Sequence, residues 1–246
     1  MLKVENISTG YGKKQILFDV SFKVSKGEIV LLVGSNGSGK STLLKAIYGL
    51  LPNWNADILE SEAKQSPVKG KVIFNNEDIT GKATSKLLKK GLLYIPQKNN
   101  LFEDLTVKEN LEMAGLTLNQ KLLKQRIENA LSIFIALVPH LNRTPMKLSG
   151  GERSLLSLAM ATLHQPIMIL IDEPFTGLSP KNITFVSENL KVLNEKYNIT
   201  LMIVEHRVKE SSRIANRVIS LKLGKVFNNL EIDTNFNINQ LNSVFI

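Results

Sequence analysis

Gly34-Ser35-Asn36-Gly37-Ser38-Gly39-Lys40-Ser41 determines more about the architecture of this chain than any other segment. It matches the pattern G-x-x-x-x-G-K-[ST] in full. The apolar residues of Glu28–Val33 predict a buried strand before it, and Lys40–Gly49 predict a helix after it. In this setting glycines let the backbone wrap closely around phosphate oxygens, with N–H groups pointing inward at a helix N-terminus. We therefore predict a nucleotide site in which Lys40 contacts the β- and γ-phosphates and Ser41 binds Mg²⁺.

A second apolar stretch ends in two acidic residues. Ile167–Ile171 predicts another buried strand, and Asp172 and Glu173 follow it directly. In enzymes with a glycine-rich loop of this kind, an acid at such a strand end holds Mg²⁺ through water. The next acid can orient and activate an attacking water molecule. An acidic pair after a strand carries little information alone, but together with the loop it predicts ATP binding and hydrolysis.

Strand and helix patterns alternate along most of the chain, which predicts an α/β fold with a mainly parallel sheet. The predicted class is a P-loop NTPase core with an N-terminal antiparallel β subdomain and an inserted α-helical subdomain. Lys3–Ile7 and Ile16–Val24 are the N-terminal strands, and the helical subdomain covers about residues 101–165 of a single domain, 1–246. The other predicted elements are the strands Lys71–Phe74, Leu92–Ile95 and Thr200–Val204, the helix Pro180–Tyr197, and a hairpin of Val218–Leu223 with Lys225–Leu230 around Gly224.

Three helices are predicted within the helical subdomain. Their ranges are Val107–Met113, Gln120–Leu137 and Ser149–Leu163. Thr106 is placed to cap the first helix, and Glu109 completes a capping box. The second helix is expected to end at Pro139. Earlier in the chain, the polar segment Leu51–Lys69 contains two prolines and predicts a long surface connection.

Composition excludes several classes of function. The 246-residue chain is 43% hydrophobic and has no cysteine, so disulfides, zinc thiolate sites and a cysteine nucleophile are excluded. Its net charge of +9 fits a lysine-rich solvated surface, or attraction to anionic lipid or nucleic acid. The lysines are scattered without interleaved aromatic residues, so we expect no nucleic-acid partner. We see no signal peptide and no apolar run of about 18–20 residues, so any membrane span is expected to come from another chain.

Leu148-Ser149-Gly150-Gly151-Glu152 opens the third of these helices. Ser149 is a favourable N-cap, and the two glycines leave backbone N–H groups uncovered, as at an anion-binding helix start. The glycine-rich loop handles phosphates on its own, so a second anion-binding terminus has no obvious use within one site. With LSGGE, the loop and the acid-ended strand in the family's order, from about Leu2 to Phe227, the chain resembles the ATP-binding cassette (ABC) ATPases.

In the ABC family two cassettes face each other head to tail. The resemblance therefore implies that ATP and Mg²⁺ bind between this chain and a second cassette, with Ser149, Gly150 and Gly151 acting in trans on the γ-phosphate. It also places adenine on Tyr11, which could otherwise be a core tyrosine, and includes Thr42 among the nucleotide contacts. The implied roles in the chemistry are as follows: Gln97 contacts Mg²⁺ and water, and Asp172 contacts Mg²⁺. Glu173 contacts the attacking water, His206 contacts the γ-phosphate, and Lys40 contacts the phosphates.

The segment after Glu173 departs from the family pattern. ABC ATPases usually have S-A-L-D there, whereas this chain has Thr176-Gly177-Leu178-Ser179-Pro180. Ser179 can still form hydrogen bonds but carries no charge. Communication between the two ATP sites of a dimer is therefore expected to be weaker or differently arranged.

Membrane transport is the leading hypothesis for what ATP hydrolysis drives. Gly91–Gln97, Leu101–Phe102 and Glu109–Leu111 follow closely the cassettes of branched-chain (hydrophobic) amino-acid importers, although the long connection at Leu51–Lys69 departs from them. The expected partners are a second cassette, membrane-spanning permease subunits and a substrate-binding protein. The expected location is cytoplasmic and peripheral, at the inner face of the cell membrane. The alternatives are export of lipid or lipopolysaccharide, and a soluble ABC ATPase that acts in translation, DNA repair or cluster assembly.

Overall fold

The computed structural model describes residues 1–11, 14–51, 68–98, 100–233 and 239. The strands are β1 (Leu2–Tyr11), β2 (Lys14–Val24), β3 (Ile29–Val33), β4 (Lys69–Phe74), β5 (Glu77–Asp78), β6 (Leu92–Ile95), β7 (Met168–Asp172), β8 (Thr200–Val204), β9 (Arg217–Lys222) and β10 (Lys225–Glu231). The helices are α1 (Lys40–Ile47), α2 (Thr84–Lys89), α3 (Val107–Ala114), α4 (Gln120–Ile133), α5 (Gly150–Thr162), α6 (Pro180–Tyr197) and α7 (Val208–Ser211), with 3₁₀ helices at Ile135–His140 and Pro145–Lys147. Within the described ranges, no helix has the length and apolar character that a membrane span requires.

The central sheet has six strands in the order β10-β9-β3-β8-β7-β6. All of them are parallel except β10, which pairs antiparallel with β9. β3, β7 and β8 are buried at every position, because a parallel sheet covered on both faces hides both sets of side chains. Their carboxyl ends meet at one edge, which is where ligands bind in open α/β sheets. The mainly parallel P-loop core predicted from the sequence is confirmed.

Alternate side chains of the central strands pack into two cores. Ile29, Leu31 and Val33 of β3 join the core shared with α3, α4, α5 and α6. Val30 and Leu32 point to the opposite face and pack with α1 and the N-terminal strands. Each fully buried aliphatic side chain contributes roughly 1.5–3 kcal/mol to stability. The two cores therefore pack against opposite faces of the central sheet.

A second, antiparallel sheet has the strand order β2-β1-β4-β5. Both predicted N-terminal strands are confirmed and are longer than predicted, since β1 reaches Tyr11 and β2 starts at Lys14. Leu2, Val4 and Ile7 bury one face of β1 against the core. Only the two ends of the predicted connection at residues 51–69 lie within the described residues, and β4 already begins at Lys69.

The chain between β6 and β7 is helical, as predicted. Thr106 caps α3, its hydroxyl oxygen accepts from Glu109 N–H, and its own N–H donates to the Glu109 carboxylate at 2.7 Å, which confirms the capping box. The prediction for α4 was wrong at its C-terminal end. The helix stops at Ile133, because Phe134 leaves helical geometry with φ −105° and ψ 57° and is buried in the core. Pro139 ends no α-helix and lies inside a 3₁₀ helix instead.

The hairpin turn between β9 and β10 supports the glycine-rich loop. Leu223 and Gly224 have φ values of 49° and 75°, which suits a two-residue hairpin of type I′. The Gly224 N–H donates to the Ser38 carbonyl at 3.1 Å, and its carbonyl accepts from Phe18 N–H at 2.8 Å. A Cβ on Gly224 would lie 1.9 Å from the Ile16 carbonyl oxygen, so any other residue must displace β2.

We expect Gly224→Ala to lower the free energy of unfolding by at least about 3 kcal/mol, because a backbone clash adds to the cost of a left-handed alanine. Gly177→Ala is the matched control. Gly177 has the same φ of 75°, but a Cβ there meets nothing within 4 Å, so we expect a loss of only about 1–2 kcal/mol. Urea denaturation measures both values, and equal losses would contradict the close approach of the hairpin to β2.

Candidate active site

The glycine-rich loop connects β3 to α1 at the carboxyl edge of the central sheet. Gly37 and Gly39 have φ values of 77° and 102°, so both occupy conformations that favour glycine. The Lys40 ammonium donates to the carbonyls of Gly34 at 2.9 Å and Ser35 at 3.0 Å. Burial lowers the pKa of Lys40, while the nearby Glu173 and Asp172 carboxylates raise it. The loop thus holds a desolvated ammonium at its own mouth.

Two potential oxygen ligands for a metal ion, Ser41 and Asp172, lie beside the loop. The Ser41 hydroxyl donates to Asp172 Oδ1 at 2.9 Å, and the Tyr94 hydroxyl donates to Oδ2 at 3.2 Å. Burial raises the pKa of Asp172, although both hydroxyl groups act in the opposite direction. A hydroxyl and a carboxylate are the kind of oxygen ligands that Mg²⁺ takes when substrate phosphates and water complete its shell. The pair fits the predicted Mg²⁺ site.

Glu173 is the centre of the predicted catalytic residues. It has a φ of 49°, and its N–H donates to the Val204 carbonyl at 2.9 Å. His206 Nε2 lies 2.8 Å from Glu173 Oε1, and the Thr176 hydroxyl donates to Oε2 at 2.9 Å. The Gln97 amide also donates to Oε2. Residues from three separate loops therefore converge on one carboxylate.

These residues face a common cleft over the glycine-rich loop. The cleft has a volume of about 200 Å³ and is lined by Ile16, Asn36, Gly37, Gly39, Lys40, Ser41, Thr42, Glu173 and His206. Tyr11 ends β1 outside this lining and is 40% exposed. The structure thus brings Lys40, Ser41, Glu173 and His206 together, and it adds Gln97 and Asp172 by hydrogen bonds to members of the set.

Two residues of the site were missed by sequence reasoning. Tyr94 touches Asp172, and Glu205 follows β8 with only 1% of its surface exposed. Glu205 Oε1 accepts from Phe175 N–H at 2.7 Å, and Oε2 accepts from His206 N–H at 3.1 Å. Burial raises the pKa of Glu205 to about 7 against the effect of these N–H groups. An acidic residue that continues an apolar strand was the available signal in the sequence.

We expect Glu205 to make stability fall as pH rises. Its pKa of about 7 in the folded protein exceeds the ordinary 4.5, so the folded state binds the proton more tightly. The resulting stabilisation is complete below about pH 4.5 and is lost as pH rises to about 7, on the order of 3 kcal/mol in all. Urea denaturation at pH 5 and pH 7.5 should show this fall in the wild type and in the exposed-site control Glu188→Gln. Glu205→Gln should show a smaller fall, and an unchanged one would contradict the assignment.

The LSGGE segment forms a capped helix start that does not line the cleft over the glycine-rich loop. Ser149 caps α5, and its N–H donates to the Glu152 carboxylate at 2.7 Å within a capping box. His140 Nε2 lies 3.0 Å from the other Glu152 oxygen, which links this terminus to the 3₁₀ helix Ile135–His140. Of the described residues that line the cleft over the glycine-rich loop, none is Ser149, Gly150 or Gly151. One chain therefore carries two phosphate-type elements that line different clefts, since Gly150 borders a second cleft that also reaches Asp172 and Glu173.

Fold and site together define a P-loop ATPase. The family model described as ABC transporter matches residues 17–176, which is well over half of the chain. The chain belongs to the ABC transporter family, of which it is an ATP-binding and ATP-hydrolysing cassette.

Similar proteins align with nearly the whole chain. The probable branched-chain amino acid transport ATP-binding protein LivF of Archaeoglobus fulgidus is 35% identical over 226 residues, which cover 92% of this chain and 90% of LivF. The high-affinity branched-chain amino acid transport ATP-binding protein BraG of Pseudomonas aeruginosa is 31% identical, with 92% and 91% covered. A dimeric post-hydrolysis state of an ATP-binding cassette bound to ADP and phosphate is 27% identical with a TM-score of 0.76, and 95% of this chain and 99% of that chain are covered.

Proposed function

We propose that this chain binds ATP and Mg²⁺ in a head-to-tail dimer with a second cassette, either another copy or a relative. The observation that carries the proposal is the separation of the glycine-rich loop from Ser149–Gly151 within one chain. Ser149 is exposed at the start of α5, so its helix terminus is free to meet the phosphates held by a partner. A similar cassette with ADP and phosphate is a dimer, which supports this arrangement.

Each side chain of the cleft has a proposed role in ATP hydrolysis. Lys40 and the N–H groups of the loop hold the phosphates, Thr42 adds a contact, and Tyr11 stacks on adenine. Ser41, Asp172 and Gln97 are the proposed holders of Mg²⁺, which supplies charge that polarises the phosphate oxygens when bound. The contacts of Ser41 with Asp172 and of Gln97 with Glu173 support the Mg²⁺ roles, whereas the roles of Thr42 and Tyr11 rest on the family resemblance.

Glu173 orients the attacking water and accepts its proton. His206 is placed 2.8 Å from Glu173 and contacts the γ-phosphate opposite the partner's Ser149 and Gly151. Charge stabilisation and positioning are the dominant effects in such a site. Loss of the γ-phosphate removes the link between the two cassettes, and the dimer opens by a shift of population.

Ser179 is proposed to weaken communication between the two sites. Its side chain caps α6 and accepts from Asn182 N–H at 3.4 Å. The Asn182 side chain lies beside Gly151, where a Cβ would come within 3.1 Å of it. The segment is thus next to the LSGGE helix, but Ser179 brings no charge to it.

We propose that the dimer drives transport of branched-chain or other hydrophobic amino acids into the cell. The relatives LivF and BraG support the substrate class. A cleft of about 480 Å³ lies between Gln97, Glu103 and Arg153 and also reaches Glu173, so a permease docked there could sense the catalytic residues. The helical block at about 101–165 is proposed to act as a subdomain of the single domain 1–246 that carries this surface, with a substrate-binding protein as a further partner of the complex.

The location that follows is the cytoplasmic face of the cell membrane, and flotation tests it. The chain should float with membranes only when membrane-spanning subunits encoded beside it are co-expressed. Vesicles containing that complex should take up leucine in an ATP-dependent manner and should not take up glutamate. Sedimentation of the chain with ribosomes or DNA would contradict transport, and outward movement of lipid would favour export.

A further inference from the structure

We infer that Glu205 is a positioning residue for hydrolysis: its carboxylate sets the distance between the loop that carries Glu173 and the loop that carries His206. This inference rests on the roles proposed above for Glu173 and His206. Glu205 itself touches neither the nucleotide-facing side chain of Glu173 nor the imidazole of His206 in the described contacts. It acts on the backbone of both loops.

The bridge begins where the sheet ends. β7 and β8 pair in parallel up to Asp172 and Val204, and Glu173 N–H continues the ladder by donating to the Val204 carbonyl at 2.9 Å. Beyond these residues the two segments continue into different loops. Glu205 then replaces the ladder, since one carboxylate oxygen accepts from Phe175 N–H at 2.7 Å and the other from His206 N–H at 3.1 Å.

The chemistry of the bridge requires a carboxylate. Both oxygens of the side chain must accept hydrogen bonds, and the side chain must present no donor to either N–H group. A glutamine of the same length has one oxygen and one NH₂ group, so one of the two backbone N–H groups would face another donor. Because Glu205 is only 1% exposed, a buried N–H that loses its partner has little access to water.

The cost of this arrangement indicates that it serves the site. An acidic group at a buried position is unfavourable unless it is well satisfied, and the neighbouring strand positions of β8 are apolar. The two N–H groups belong to Phe175 and His206. They lie on either side of the 2.8 Å contact between Glu173 and His206. A change in loop spacing would therefore move the two proposed catalytic groups relative to each other.

The glycine-rich loop is separate from this bridge. It follows β3, to which Glu205 is hydrogen-bonded by its backbone N–H, a donor to the Leu32 carbonyl at 3.1 Å. Replacing the Glu205 side chain leaves that bond in place. The expected signature is thus a loss of kcat with little change in ATP affinity, because a misplacement of about 1 Å can cost on the order of 100-fold in rate.

The test compares Glu205→Gln with a structural control at the opposite edge of the sheet. Asn194 also joins two loops there, and its amide donates to the Gly27 and Ile199 carbonyls, both at 2.9 Å. ATPase rates are measured at pH 8, where Glu205 is ionised, with ATP affinity and urea stability measured in parallel. We expect Glu205→Gln to lower kcat about 10- to 100-fold with KM for ATP within about threefold, and Asn194→Ala to lose stability with kcat within about twofold.

Two outcomes overturn the inference. One is a wild-type kcat in Glu205→Gln, and the other is a kcat loss that Asn194→Ala shows equally at the same loss of stability. If Glu205→Gln does not fold, Glu205→Asp is measured instead, because it keeps the charge but shortens the side chain. The expected result is again a loss of kcat with little change in KM. Glu173→Gln separates this inference from the proposed function: normal turnover in that variant refutes the role of Glu173 whatever Glu205 does.

Discussion

Glu173→Gln is expected to stop ATP turnover and leave ATP binding intact. The substitution keeps the size of the side chain and its reach to His206 and Gln97, but it removes the base that takes a proton from water. General base catalysis contributes about 10²–10⁴-fold to such reactions, so the rate of phosphate release should fall by at least about 100-fold. Since the γ-phosphate then stays in place, ATP should hold the chain as a stable dimer. Phosphate release and light scattering measure the two effects.

Glu188→Gln provides the control for this experiment, because it makes the same chemical change at an exposed position of α6. It should retain wild-type turnover and should not accumulate dimers. Rapid hydrolysis by Glu173→Gln would show that another group activates water. Loss of turnover without any ATP-dependent dimer would instead contradict the shared site.

Lys40→Met is expected to abolish tight ATP binding. Lys40 is 5% exposed, and in the nucleotide-bound protein its ammonium is proposed to exchange contacts with the Gly34 and Ser35 carbonyls for contacts with phosphate. Removing one partner of a buried, hydrogen-bonded charge pair typically costs about 2–5 kcal/mol. That corresponds to roughly 30-fold to several-thousand-fold weaker binding. Titration with a fluorescent ATP analogue measures the affinity.

The matched control for Lys40 is Lys121→Met, at an exposed position in the first turn of α4. Its affinity for ATP should equal that of the wild type. Urea denaturation of both variants shows whether the folded state persists. An affinity of Lys40→Met within about threefold of the wild type, in a folded protein, would remove Lys40 from the phosphate site.

Local patterns were sufficient for much of the fold. β6, β8 and α6 have the predicted boundaries, because strong apolar runs or caps mark their ends. The α4 prediction failed at Phe134, since apolar residues continue beyond it while the backbone turns that ring into the core. Periodicity does not report such a break, and Pro139 lies in the 3₁₀ helix that follows it.

Local sequence patterns likewise identified some residues of the candidate site and missed others. The glycine-rich loop and the Asp172-Glu173 pair are contiguous in sequence, so local spacing identified them. Gln97 and His206 came only from the family resemblance, and the structure brings both to Glu173; their catalytic roles stay predictions. The position of Glu205 after an apolar strand was a local signal, but its partner Phe175 N–H is 30 residues away, so spacing alone did not reveal the contact.

The central claim is that one ATP site is built from two chains, and cysteine cross-linking tests it most directly. The chain has no cysteine, so Asn36→Cys in one copy and Ser149→Cys in another introduce the only thiols. Both positions are exposed, and a disulfide requires their Cα atoms to approach within about 7 Å. The two copies carry different tags and the Glu173→Gln change, and Lys191→Cys on α6 replaces Ser149→Cys in the control.

The account predicts a mixed disulfide dimer of Asn36→Cys with Ser149→Cys that forms under mild oxidation only when ATP and Mg²⁺ are present, and none with Lys191→Cys. Absence of the mixed dimer from copies that still bind ATP, or its equal formation without nucleotide, would contradict the shared site.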